Sequence, residues 1–270
     1  MHKFEQLVFG AATTGEGVAR SVIGASPGIR SEIREEIARL CEGWGTPPAL
    51  GMEKPALMSL PLKTTTAALP GRLWAVIRVG RGLSPLFHAV VLTDNSYTAF
   101  LRNPFSLARG IDWIDEWKPG LRLEPGQVAS DPTRPLVTPP AGPGDLGLVD
   151  EALLKFLIEG KLHLPIERPN ADSDRCLSLL IACLPENERK NLRFASFAPH
   201  EGNDYGVAAT GTENCHFAGW KRMMSAWLAG DYRDEVEQYV EAIREHLPRG
   251  DMAGVTRVTM RVSPKPGRGG

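Results

Sequence analysis

The segment Gly24-Ala25-Ser26-Pro27-Gly28 sets a serine between two glycines, where a short apolar run gives way to an amphipathic stretch. That is the G-x-S-x-G spacing of a nucleophile elbow, in which a strand-to-helix turn exposes a serine hydroxyl for acyl transfer. The chemistry requires the residue after the serine to lend its backbone N–H to the oxyanion, and Pro27 has none to lend. Ser followed by Pro reads instead as a helix start, with the hydroxyl accepting from an orphan N–H and Pro at the first helical position. Ser26 is therefore expected to cap a helix, with the nucleophile role as the alternative.

Cys215-His216 raises thiol chemistry, since a thiolate nucleophile needs an imidazole base nearby. Adjacent side chains diverge, so the base would come from elsewhere, with His88, His163 and His200 as candidates. The plainer expectation for Cys215 is a partly buried thiol at a strand-to-helix connection. His88 sits in an apolar run, where it could serve as base, as metal ligand or as a histidine bonded within the core, and the last is expected. No H-E-x-x-H, H-x-H or C-x-x-C spacing occurs, so no metal is expected. Nor is a nucleotide cofactor: G-x-x-x-x-G-K-[ST] and G-x-G-x-x-G are both missing, and Gly80-Arg81-Gly82 is too short for a phosphate cradle.

Trp113, Asp115 and Trp117 suggest recognition rather than catalysis. Carboxylates clustered in sequence lack the separation across a cleft that glycoside hydrolysis needs, whereas tryptophan beside acidic residues suits a partner surface. A core role for either ring is the competing reading. Trp220, Met224 and Trp227 recur at helical spacing and are expected in a core. The basic tail residues Arg257, Arg261, Lys265 and Arg268 are expected as solvated charge, not as a nucleic-acid site.

The elements that must position these residues follow from periodicity. Runs at Gln6–Ala12 and Val18–Ala25 flank a turn-forming Thr13–Gly17 and predict a hairpin. From Pro27 the residues Ile29, Ile33, Ile37, Leu40, Cys41 and Trp44 predict an amphipathic helix that stops near Gly43. Strands are predicted at 56–62, 72–82 and 86–94. Trp74, Val76 and Arg78 share one strand face, which implies a strand partly buried on both sides. A further strand is predicted at 97–103, and a short helix from Asn103-Pro104. Later come helices at 149–159 and 172–184, strands at 162–167, 192–198 and 205–210, and two closing helices, the second opening on Asp231 and ending before Pro248.

The 270 residues carry 42% hydrophobic and 23% charged side chains, enough for a substantial core, and a formal net charge of -1 that gives no global attraction to nucleic acid or an anionic membrane. No apolar run reaches membrane-spanning length. Four cysteines without a paired spacing, and an opening without a secretory pattern, lead us to expect a reduced, cytoplasmic setting. Cys176 and Cys183 fall on one predicted helix face and are expected in a core. A proline- and glycine-rich stretch suggests the division 1–126, a sheet-rich domain; 127–147, a connector; 148–262, a helix-rich domain; and 263–270, a flexible tail. The expected class is α+β, with a mixed sheet carrying one docked helix followed by a more helical α/β part.

Gln6-Leu7-Val8-Phe9-Gly10, Val22 through Ile29, Phe87-His88-Ala89-Val90-Val91-Leu92 and Asn103-Pro104-Phe105 occur in an order that resembles the type 2 amino-terminal domain of the bacterial GTPase-associated protein family. Cys183-Leu184-Pro185-Glu186 and Leu192 through Phe197 are similar to the middle domain that usually follows it. Together these cover most of the chain. The resemblance implies a component of a multi-protein bacterial conflict system that associates with a GTPase or other NTPase encoded nearby, and it carries no catalytic residues over. The expectation is thus a non-catalytic adaptor, with a hydrolase using Cys215 or Ser26 as one alternative and a self-assembling scaffold, a homo-oligomer, as another.

Overall fold

The computed structural model describes residues 1–14, 17–47, 51–52, 54–64, 71–118, 120–130, 137–140, 143–165, 171–199, 203–210 and 233–261. Cys215, His216, His200, the 217–227 stripe and the 263–270 tail lie outside them. The protein is α+β, built on one mixed sheet. Its first half runs β1 (His2–Thr14), β2 (Gly17–Ala25), α1 (Ser31–Glu42), β3 (Ala56–Pro61), β4 (Leu73–Val79), β5 (Phe87–Thr93), α2 (Asp94–Thr98), α3 (Pro104–Ala108) and β6 (Gly126–Val128). The second half adds α4 (Pro143–Glu159), β7 (Leu162–Pro165), α5 (Ala171–Cys183), α6 (Glu186–Arg189), β8 (Phe194–Ala198), β9 (Val207–Thr210), α7 (Arg233–His246), a 3-10 turn (Leu247–Arg249) and α8 (Met252–Arg261).

The strand order is β2-β1-β5-β4-β3-β8-β9-β7, with β6 paired to the start of β1. Pairing is antiparallel from β2 through β8, and the β8-β9-β7 end is parallel. Cross-strand register places Leu7, Ala89, Ile77 and Met58 on one face, and Val8, His88, Arg78 and Leu57 on the other. The first face is covered by α1 through Ile33, Ile37 and Cys41, and by Trp44 after it. The second is covered by the segment after β5, whose Tyr97, Phe100, Leu107 and Ile111 pack on Trp74, Val76, Val90 and Leu92. Coverage on both sides explains why β4 and β5 lack an apolar–polar alternation. Each fully buried side chain of the size of Ile37 or Phe87 contributes about 2 kcal/mol.

A third core joins α4, α5, α7 and α8 to Phe194, Val207 and Ala209 of the parallel end. Neither the cores nor the sheet divide by halves of the chain: Ala195, Phe197, Ala198, Tyr205 and Ala208 join the core beneath α1, and Met58 and Ser59 of β3 pair with Ala195 and Phe194 of β8. The expected limits at 126 and 147 fall inside β6 and α4, because the chain pairs with β1 before leaving the first core and is already helical when it enters the next. Residues 97–103, expected as a strand, are the end of α2 and a turn. The Thr93 hydroxyl caps α2 by accepting from Ser96 N, and Leu101 and Arg102 take positive φ. The Arg102 guanidinium then grips Asp94 with bonds of 2.9 and 2.7 Å. Helix α8, for which no periodic signal stood out, is started by Asp251, which accepts from Gly254 N and also binds the His246 ring.

Candidate functional site

Ser26 does not cap α1. That helix begins at Ser31, and its cap residue Arg30 makes no side-chain cap bond. Ser26 instead prolongs the β2 ladder, its N–H donating to Gln6 O at 2.8 Å. Its buried hydroxyl accepts from Gln6 N at 2.9 Å and donates to Glu5 Oε2 at 2.5 Å. The same carboxylate accepts from Gly28 N at 3.3 Å. A Cβ on Gly28 would stand 2.3 Å from Glu5 Oε1, so a larger residue there would push the carboxylate out of this clamp. The first free donor past the strand is thus taken by Glu5, and the helix starts later. The G-x-S-x-G spacing reflects a strand-end clamp; the oxyanion donor that Pro27 removes from an elbow is not needed in it.

His88, on β5, is 1% exposed and bonded through both ring nitrogens. Its Nδ1 accepts from Ile114 N at 3.0 Å, which places the proton on Nε2, where it is donated to Gln6 Oε1 at 3.0 Å. Burial pushes its pKa down to about 4, the Arg78 guanidinium adds to that, and Asp115 opposes it. The imidazole is neutral and fully engaged. Ser26 and His88 are linked only through Gln6, by backbone on one side and side-chain amide on the other; among the described residues no hydrogen bond joins them. Nothing can be placed for Cys215, and His163 lies at the far sheet edge with Nε2 3.4 Å from Tyr205 O.

Trp113, Asp115 and Trp117 belong to one irregular strap across the sheet face that carries His88. The Trp113 indole N–H donates to Ala108 O at 3.0 Å and its ring meets His88 edge-on at 5.3 Å. Asp115 pairs with Arg78 at 2.6 Å. The Trp117 ring lies against Gly24, where a Cβ would come within 2.3 Å of it. Both rings are half-buried and Asp115 is exposed, so the strap is pinned from below while its outer side meets solvent. The sequence spacing brought the three residues into one place; that His88, Arg78 and Gly24 of other strands anchor them is a tertiary pairing that no local signal announces.

The sequence does not single out two charged groups, half-buried Asp174 and buried Arg189. Asp174 on α5 binds Lys54 through Oδ2, its buried Oδ1 has no partner among the described residues, and burial holds its pKa above the ordinary carboxylate value despite the lysine. It lines a cleft of about 410 Å³ together with Leu57, Phe105, Arg109, Arg175 and Ser178, where the first half meets α5. Arg189 on α6 is 1% exposed and donates from Nη2 to Thr259 at 3.2 Å, and its Nε and Nη1 have no partner among the described residues. Its burial lowers its pKa. Cys183 and Cys41 are buried core thiols, while Cys176 is half-buried. Among the described residues no group of three or more His, Cys, Asp or Glu side chains could hold a metal, and no helix is long and apolar enough to cross a membrane.

Compared with family models, with curated proteins and with solved structures, the chain finds no match in any of the three.

Proposed function

We propose that this chain is a non-catalytic adaptor of a bacterial conflict system, acting in the cytoplasm by association with a GTPase or other NTPase encoded nearby. The observation that carries the reading is the engagement of the reactive groups. The Ser26 hydroxyl is spent on Gln6 and Glu5, and both His88 nitrogens are spent on Ile114 and Gln6. Groups held this way position a turn and a strap; a nucleophile and a general base must be free to reach a substrate. The ordered motifs around Gln6, Ser26, Phe87 and Asn103 support the NTPase-linked setting through their resemblance to the GTPase-associated family. The outer side of the strap, with exposed Asp115 between half-buried Trp113 and Trp117, is the surface we assign to the partner.

The test is a pull-down of the full chain with the NTPase encoded beside it, with and without GTP. Nucleotide-sensitive co-purification that is lost on Asp115→Arg supports the reading. No association in either nucleotide state contradicts it.

A further inference from the structure

The cleft beside Asp174 lies where α3 and the start of β3 face α5, and its volume of about 410 Å³ falls in the range, roughly 300–1,000 Å³, of small-molecule sites. Leu57 of β3 and Phe105 and Ala108 of α3 supply an apolar wall. That wall is held from behind. The Phe105 ring meets Phe194 edge-on at 5.6 Å, and Leu57 N donates to Ser196 Oγ at 2.9 Å.

The polar part of the lining is rich in donors. Ser178 on α5 is 5% exposed, its Oγ accepts from Asn103 Nδ2 at 3.2 Å, and its own O–H meets no acceptor among the described residues. The hydroxyl is thus committed on its acceptor side and keeps a proton to give. Arg109 is braced by its Nη2 bond to Thr138 Oγ1 at 2.8 Å, and Arg175 by its pair with Asp172 at 3.1 Å. Guanidiniums held in this way are ordered before a ligand arrives, and their planar forks of donors suit an oxyanion. Asp174, the carboxylate in this lining, presents little charge to the cleft: its Oδ2 is on Lys54 and its Oδ1 does not reach solvent.

We propose that this cleft binds a small organic anion, its carboxylate or phosphate oxygens taken by Ser178, Arg109 and Arg175 and its apolar body laid on Leu57 and Phe105. The inference goes beyond the adaptor reading and stands whether or not that reading holds. The lining itself selects the class. A purely apolar ligand would bury the Ser178 O–H without an acceptor, and a cation would meet two guanidiniums. An inorganic anion alone would leave the wall of Leu57, Phe105 and Ala108 wet. Because Arg109 follows α3 while Arg175 and Ser178 lie on α5, the ligand also bridges elements from the two halves of the chain.

Phenyl phosphate and benzoate, with neutral benzamide as the control, test this when titrated into the full chain and followed by amide NMR shifts. At least one anion is expected to give saturable shifts centred on Arg109, Arg175 and Ser178, about tenfold tighter than benzamide or better, and the tighter of the two tells phosphate from carboxylate. Arg109→Gln and Ser178→Ala should each weaken that binding about fivefold or more. Both should fold, since Arg109 is exposed and Asn103 keeps its 2.9 Å bond to Ser178 O, and circular dichroism checks this. Should either fail to fold, Arg175→Gln takes its place with the same expectation. No saturable binding of either anion, equal binding of benzamide, shifts centred elsewhere, or variants that bind like the parent overturns the proposal.

Discussion

Replacing His88 with Asn should flatten the acid sensitivity of the fold. In the native state burial holds the imidazole at about 4, against an ordinary value of 6.5, because protonation would force a second donor toward Ile114 N and set a cation beside Arg78. The unfolded chain therefore binds a proton that the native chain refuses as pH falls below 6.5. Stability from this group is complete above 6.5 and is lost as the pH falls through the window down to about 4. Integrating over the window gives a loss of about 3 kcal/mol, about 2 kcal/mol of it by pH 5. Asn keeps an acceptor for Ile114 N and does not titrate. It gives up the bond to Gln6 and the edge contact with Trp113, so His88→Asn should be less stable at pH 8 by about 1–3 kcal/mol. Between pH 8 and pH 5 it should then lose about 2 kcal/mol less than the parent. Urea unfolding midpoints at the two pH values, with the slope checked for constancy, measure both differences. Parallel pH profiles for the two proteins would refute the reasoning, and so would a native His88 that titrates near 6.5.

Other consequences can be read from single side chains. Gly24→Ala drives a Cβ into the Trp117 ring, so the strap should lift, with a red-shifted tryptophan emission and a loss of about 1–3 kcal/mol; an unchanged spectrum and midpoint would contradict the packing. Arg189→Met removes a buried guanidinium with two nitrogens that have no partner among the described residues, and should raise stability by about 1–3 kcal/mol, after the bond to Thr259 is subtracted. A large loss would mean that the charge has a partner. Burial pushes the Cys183 thiol up to about 12 and the Cys41 thiol higher, so iodoacetamide at pH 8 should leave both intact in the folded chain and alkylate them only in denaturant.

The sequence was most legible where an element's own residues decide it. The hairpin, α1 from Ile33 onward, strands β3 to β5, the Asn103-Pro104 helix start and the Gly160 stop after α4 all follow from local periodicity and turn chemistry. Asn103 does cap its helix, accepting from Phe105 N, as Asn before Pro implies. Ser26 carried the same local signal and was claimed by Glu5, because β1 brings a carboxylate to the turn that no neighbouring residue announces. Residues 97–103 read as extended until Asp94 and Arg102 close on each other. The continuity of the sheet through β3 and β8 lies in a pairing between residues distant in the chain, which periodicity does not encode. His88 was legible as a core histidine, but not its partners, and half-buried Asp174 and buried Arg189 looked like ordinary helix charges.

Ser26 and His88, two residues suited to catalysis, serve here as fasteners, most plainly at the Ser26 hydroxyl. Intact-mass analysis of the folded full chain after treatment with a fluorophosphonate measures this directly. A hydroxyl that donates to Glu5 and accepts from Gln6, beside a proline with no oxyanion donor, should gain no phosphonyl group. A stoichiometric adduct mapped to Ser26 would contradict the account.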